Sequence, residues 1–180
     1  MSFQQIARRI RVPLGFVFAA LFLWRAQPTL PSILWSLVAV LPGLALRAYA
    51  SGYVKKNSEL TQTGPYAYTR NPLYLGSLVF ALGFIGAARS WLLLLCFVTL
   101  FAVIYAPTIL SEEAWLRQKF ASFDDYCHRV PRLLPRLTPA DSATRGTFSP
   151  ALYRQHREYN SLIGAAAVYG VLLLKWWLLR

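Results

Sequence analysis

Two short stretches hold the residues of this chain that could do chemistry. The first reads Thr63-Gly64-Pro65-Tyr66-Ala67-Tyr68-Thr69-Arg70-Asn71-Pro72-Leu73-Tyr74-Leu75-Gly76. Gly64-Pro65 signals a turn. Asn71-Pro72 sets an extended residue before a proline suited to the first turn of a helix. Arg70 and Asn71 are therefore expected at a helix mouth, where free backbone N–H groups favour an anion. Tyr74 and Gly76 follow one turn inside, and Gly76 leaves space against the helix for a flat or bulky group. The second stretch starts at Ser111-Glu112-Glu113 and runs through Phe123-Asp124-Asp125-Tyr126-Cys127-His128-Arg129 to Val130-Pro131-Arg132. Acids next to hydrocarbon are costly unless paired or hydrated, which makes Glu112 and Glu113 functional candidates. Each candidate also has an ordinary reading. An arginine near a span end anchors topology, Glu112 or Glu113 can pair with Arg117, and Asp124 and Asp125 read as solvated surface. Tyr126 and Arg129 can share a helix face, which fits packing as well as ligand binding.

The elements that must position these residues are apolar helices. Of 180 residues, 56 % are hydrophobic and 14 % charged, against about a quarter charged in a soluble domain. The apolar residues gather into long runs separated by basic stretches, the pattern of an all-α membrane helix bundle. Five spans are expected, over 10–26, 32–50, 72–88, 90–110 and 161–179. Pro13 falls near the first turn of the first. Pro42 lies inside the second and is expected to kink it. Gly76, Gly83 and Gly86 permit close helix approach in the third. The fourth continues as a helix through Trp115, Leu116, Lys119 and Phe120, and Pro131 and Pro135 end any helix beyond it. The chain thus divides into two N-terminal helices (1–50), a core with two helices and the polar segments (51–137), a linker (138–160) and a last helix (161–180). No small-residue cleavage site follows the first span at Trp24-Arg25-Ala26-Gln27-Pro28, so it is read as a retained helix.

Charge sets the orientation. The net charge is +12, but the basic residues flank apolar spans and no nucleic-acid motif is present, so anionic headgroups and topology account for them. With the N-terminus inside, Arg8, Arg9, Arg11, Arg47, Lys55, Lys56, Arg70, Arg117, Lys119, Arg129, Arg132, Arg136, Arg145, Arg154 and Arg157 are cytoplasmic, and Arg25, Arg89, Lys175 and Arg180 are outside. Fifteen against four puts both long loops, and any site built from them, in the cytoplasm. Cys96 and Cys127 make no disulfide framework. His128 and His156 lack cysteine partners at zinc spacing, so no metal centre is expected.

On these residues the chain resembles the membrane methyltransferases that include isoprenylcysteine carboxyl methyltransferase and phospholipid N-methyltransferase. That family's pattern is Gly-Pro-Tyr, three residues, Arg-His-Pro, one residue, Tyr, one residue, Gly. Here it reads Gly64-Pro65-Tyr66, Arg70-Asn71-Pro72, Tyr74 and Gly76. The family's later Glu-Glu, Phe-Gly, Tyr-x-x-Tyr and Val-Pro-Arg correspond to Glu112-Glu113, Phe120-Ala121, Phe123 with Tyr126, and Val130-Pro131-Arg132. The resemblance implies a cytoplasmic pocket for S-adenosylmethionine, closed by the segment after the fourth span, and a lipophilic or prenylated acceptor drawn from among membrane lipids. Cofactor-binding positions would fall on Gly64, Pro65, Tyr66, Asn71, Pro72, Tyr74, Gly76, Glu112 and Tyr126, with Glu112 or Glu113 on the ammonium group. Catalytic positions would fall on Arg70, Arg129 and Glu113, the two arginines orienting an acidic acceptor.

The chain departs from the family pattern at several points. Asn71 stands for a histidine, Phe123 for a tyrosine and Ala121 for a glycine, and the stretch between Phe120 and Phe123 is one residue shorter. Asn hydrogen-bonds but does not titrate near neutral pH, which suits an acceptor that is already a nucleophile. Carboxylate, amine and thiol acceptors all remain open. Two other classes share the scaffold: an NADPH-dependent membrane reductase, normally much larger, and a non-enzymatic membrane protein that retains the fold.

Overall fold

The structure, a computed structural model, describes residues 3–55, 58–140 and 146–180, with side chains from Pro13 onward. Lys56, Arg145, the side chains of Arg8, Arg9 and Arg11, and the middle of the 138–160 linker lie outside the described residues. The chain is helical, with no strand among the described residues. Helix α1 spans Phe3–Arg25, α2 Leu30–Ser51, α3 Pro72–Ala88, α4 Trp91–Leu100, α5 Ala106–Lys119, α6 Phe123–Arg129, α7 Pro150–Gln155 and α8 Tyr159–Leu178. A 3-10 turn, Gly64–Ala67, precedes α3, and a π-helical segment, Phe101–Tyr105, joins α4 to α5.

Among the described residues, three helices are long and apolar enough to cross a membrane: Leu30–Ser51, Trp91–Lys119 and Tyr159–Leu178. Pro13–Arg25 and Pro72–Ala88 are shorter apolar helices. The architecture is that of a membrane helix bundle. Pro13 lies well inside α1 rather than at its first turn, because the helix extends upstream of the apolar run. Pro42 lies inside α2 without ending it. The composite helix Trp91–Lys119 has 29 residues. At 1.5 Å per residue that is about 43 Å, longer than a hydrocarbon core of about 30 Å. Its last turns therefore stand clear of the apolar layer and carry Glu112 and Glu113 there. The linker region is not featureless, since α7 forms within it behind a Ser149 cap whose hydroxyl accepts from the Leu152 N–H.

The seam that fixes the bundle is α2 against α3. A Cβ on Gly43 would lie 2.6 Å from the Phe80 nitrogen, and one on Gly76 would lie 2.7 Å from the Gly43 oxygen. The two backbones touch at these glycines, as small residues allow where lipid supplies no hydrophobic drive for association. Gly86 has nothing within 4 Å of its would-be Cβ, so it takes no part in this approach. Around the seam, Phe22, Ile33, Val40, Phe84, Leu93 and Leu172 form the buried apolar core.

Long-range bonds sort the helix ends into two groups. The C-termini of α2 and α5 and the N-termini of α3 and α8 meet at one end, where Arg47 pairs with Glu158 and Arg70 with Glu113. At the other end the Gln27 N–H donates to Ala88 O, the Ser32 hydroxyl to Ala87 O, and Lys175 Nζ to Leu23 O and Trp24 O.

Candidate active site

The site forms where the two polar stretches are laced together. After α2 the chain turns at Gly64, whose φ of 59° is left-handed. A Cβ there would sit 2.5 Å from the Tyr53 ring, so glycine is required both by backbone and by space. From Ala67 to Asn71 the chain runs alongside 131–140. The Arg70 N–H donates to Pro131 O at 2.9 Å, Arg136 N–H to Tyr68 O at 3.0 Å and Ala140 N–H to Ala67 O at 3.0 Å. The Thr69 hydroxyl reaches Arg132 O and Leu133 O, and the Asn71 side-chain amide donates to Arg132 O at 2.9 Å. The Tyr126 hydroxyl donates to Tyr66 O at 2.7 Å. These bonds satisfy backbone carbonyls that would otherwise stand unpaired beside an apolar layer.

Between the laced segments and α5 lies a cavity of about 470 Å³, within the range of small-molecule sites. Of the residues expected from sequence, its wall contains Tyr66, Arg70, Asn71, Pro72, Tyr74, Glu112, Glu113 and Tyr126. The rest of the wall comes from the loop after α2, including Lys55 and Glu59, and from apolar and aromatic side chains such as Trp115, Phe120 and Phe123.

Four expected site residues are not on that wall. Gly76 faces α2, where the Gly43 carbonyl and the Arg47 side chain occupy the space that a flat ligand was expected to fill. Gly64 is covered by Tyr53, and Pro65 is buried in the 3-10 turn. Arg129 is directed away: its Nη2 donates to Gln62 Oε1 at 3.0 Å and its Nε to Asp125 O. It does not join Arg70 as the pair expected beside an acceptor.

The adjacent acids separate sharply. Successive helix residues point about 100° apart. Glu112 is exposed on the cavity wall, where the Tyr74 hydroxyl donates to its Oε1 at 2.9 Å. Glu113 is 5 % exposed, and Arg132 grips it through Nε, at 3.1 Å from each carboxylate oxygen, and through Nη2 at 2.9 Å. Arg70 adds a fourth contact at 3.4 Å. This bidentate fork is the stronger type of charge-assisted bond. It uses Glu113, itself on the cavity wall, to tie α5 to the run after α6. The Glu113 carboxylate also raises the Arg132 guanidinium above its ordinary pKa.

Arg70 also contacts Cys127 Sγ. Its Nε is buried and has no acceptor among the described residues. Burial pushes the phenols of Tyr66 and Tyr126 well up from their usual value, reinforced at Tyr66 by the Glu112 charge and at Tyr126 by Tyr66. Both therefore stay neutral and act as walls and donors, not as bases.

One support went unread in the sequence. The Tyr74 ring meets Tyr105 edge-on at 5.9 Å, and Tyr105 stacks on Phe101 at 5.1 Å. Both partners lie in the π-helical segment, a device that is frequent at functional sites. It turns Tyr105 toward Tyr74 and so holds the hydroxyl on Glu112. No residue pattern announces a π segment inside an apolar run.

Residues 43–122 match the family model of phospholipid methyltransferases. A nickel-cobalt-cadmium resistance protein of Alcaligenes xylosoxydans xylosoxydans is 39 % identical over 90 residues. A cobalt-zinc-cadmium resistance protein of Cupriavidus metallidurans is 34 % identical over 90 residues. Each match takes in 50 % of this chain and 41 % of the relative. No solved structure matches the chain. The family match takes in the Arg70 and Glu112 walls of the cavity and the α2–α3 seam behind them.

Proposed function

We propose that the chain, whose residues 43–122 match the family model of phospholipid methyltransferases, transfers a methyl group from S-adenosylmethionine to a lipophilic acceptor. The observation that carries this reading is the exposed Glu112 carboxylate, held by Tyr74 inside a partly aromatic cavity at the boundary of a membrane bundle. The cofactor, when bound, supplies a methyl carbon activated by a sulfonium. Its cationic groups fit the exposed Glu112 carboxylate on that wall, since a carboxylate attracts and hydrogen-bonds cations.

The chain's own residues then have separate tasks. Glu112 fixes the cationic end, and Tyr74 fixes Glu112. Tyr66, Phe123 and Tyr126 close the floor and exclude water; Phe123 is 1 % and Tyr126 3 % exposed. Methyl transfer is an in-line displacement, so alignment and dryness account for much of its acceleration. Arg70 brings a guanidinium to the cavity wall, where it orients an anionic acceptor. Asn71 spends its amide on Arg132 O, a contact that needs a donor but no titrating ring. An acceptor that attacks as an anion requires no more than this. We place the cavity on the cytoplasmic side from the lysine and arginine distribution.

The test is calorimetry on detergent-purified protein titrated with S-adenosylmethionine or S-adenosylhomocysteine. Binding is expected, weakened roughly tenfold by Glu112→Gln, as the loss of a charge-assisted bond requires, and weakened less by Tyr74→Phe. Absence of binding at millimolar cofactor sinks the proposal.

A further inference from the structure

The run laced to the mouth of α3 has a face that the cavity does not use. Leu134 is 78 % and Leu137 100 % exposed, while Leu133 beside them is half-buried. This exposure is held in place. Backbone groups of Pro131, Arg132, Leu133, Arg136 and Ala140 all bond to residues 67–71. Pro131, Pro135 and Pro139 recur every four residues and deny the run a helix, so no coiling turns the two leucines inward.

The depth of this face is set by α3. Its 17 residues measure about 26 Å at 1.5 Å per residue, less than a hydrocarbon core of about 30 Å. Asn71 at its mouth therefore lies at the edge of the apolar layer, and Arg132, whose carbonyl accepts from the Asn71 amide at 2.9 Å, lies there with it. Leu134 and Leu137 follow directly in the chain. At that depth an exposed leucine meets the boundary between headgroups and acyl chains, where apolar side chains are buried.

The charges around the leucines have one sign. No acid lies between Val130 and Ala140, and Arg129, Arg132 and Arg136 are exposed. Arg136 Nη1 donates to Arg129 O, which holds the two residues together. Of the acids on α6, Asp124 is paired with Arg117. A second copy of the chain is a poor partner for such a face, since it carries 7 acidic residues against 19 lysines and arginines. Guanidinium groups beside apolar side chains match lipid phosphates above acyl chains. We propose that Leu134, Arg136 and Leu137 anchor the cavity end to anionic phospholipid, the leucines entering the upper acyl region and Arg136 meeting the negative headgroups with Arg129 close by. The anchor stands whether or not the cavity transfers a methyl group.

The experiment uses the full chain in vesicles of phosphatidylcholine with a minor fraction of phosphatidylglycerol. In separate arms a trace of phosphatidylglycerol or of phosphatidylcholine is added, each with a diazirine in the upper part of one acyl chain. After irradiation, adducts are mapped by mass spectrometry. Both probes should label Leu95, a residue 65 % exposed on α4, to the same extent. At Leu134 and Leu137 the phosphatidylglycerol probe should exceed the phosphatidylcholine probe several-fold, and the excess should shrink as salt is raised. Arg136→Gln should remove most of the excess, and Leu134→Ser combined with Leu137→Ser should remove labelling of the run by both probes, with Leu95 labelling unchanged in each variant. Equal labelling of the run by the two probes overturns the proposal, as does an excess that Arg136→Gln leaves intact. A run that neither probe labels while Leu95 is labelled also overturns it, because such a face would meet water or a protein partner instead of lipid.

Discussion

The two ends of the bundle are built from the same helices but closed by different means. At the end away from the cavity, side chains close off the backbone groups of helix termini. A capping box between Thr29 and Ser32 starts α2, the Ser32 hydroxyl reaches Ala87 O, and Lys175 covers the terminal carbonyls of α1. At the cavity end, closure depends on partners some 60 residues apart in sequence, such as Thr69 with Leu133 and Tyr126 with Tyr66. That end also retains spare polar capacity, in the exposed Glu112 and the orphaned Arg70 Nε. A helix bundle in lipid tolerates unfinished polar groups only where they line a cavity. The contrast therefore marks the cavity end as the candidate functional end without reference to any relative.

The sharpest way to break the contrast is Glu113→Ala. It strips the carboxylate partner from the largely buried Arg70 and releases Arg132. Removing one member of a buried pair costs about 3 kcal/mol or more; because the Arg132 side chain is 52 % exposed, the low end applies. Thermal unfolding in detergent should show a clear fall in Tm together with lost cofactor binding. An unchanged Tm would show that the clamp does not hold the end closed. Gly76→Ala comes next. Its Cβ would meet the Gly43 carbonyl and Arg47 Cγ, and overpacking of this kind costs about 1–3 kcal/mol. The Tm should fall, with cofactor affinity in the surviving fold changed little, because Gly76 is not on the cavity wall. A large affinity loss at unchanged Tm would return Gly76 to the site. Glu112→Gln should do the opposite of Glu113→Ala: Tm nearly unchanged, cofactor binding weakened. If neighbouring acids gave the same phenotype, the division between clamp and ligand would be wrong.

That division marks the limit of what the sequence disclosed. The apolar runs located the bundle, because hydropathy over a span is an additive property of many residues. The two polar stretches pointed to one site, because each abuts a span end on the same side. Which of Glu112 and Glu113 stays exposed and which is clamped depends on the rotation of one helix, set by packing along 29 residues that include the π segment at Phe101–Tyr105. Arg129 was misplaced for a related reason: it closes a seven-residue helix whose orientation follows from Phe123 and Tyr126 being buried. Gly76 carried two readings, room for a ligand or room for a helix, and only the position of α2 separates them. Glu158 and Arg47 gave no warning of each other across 111 residues.

The smallest effect is expected at the finished end, and it tests whether the two ends are independent. Lys175→Met removes an ammonium from the carbonyls of Leu23 and Trp24 at the C-terminus of α1. A cation in such a position contributes about 0.5 kcal/mol, partly screened by salt. The methionine keeps most of the apolar stem, so packing against the neighbouring helix persists. The expected result is a small drop in Tm that shrinks as salt is raised, with cofactor affinity unaltered. A change in cofactor binding would mean that strain at one end travels along α1 and α8 to the other, and the cavity end would then owe its open polar groups to the whole bundle rather than to the lacing around Arg132.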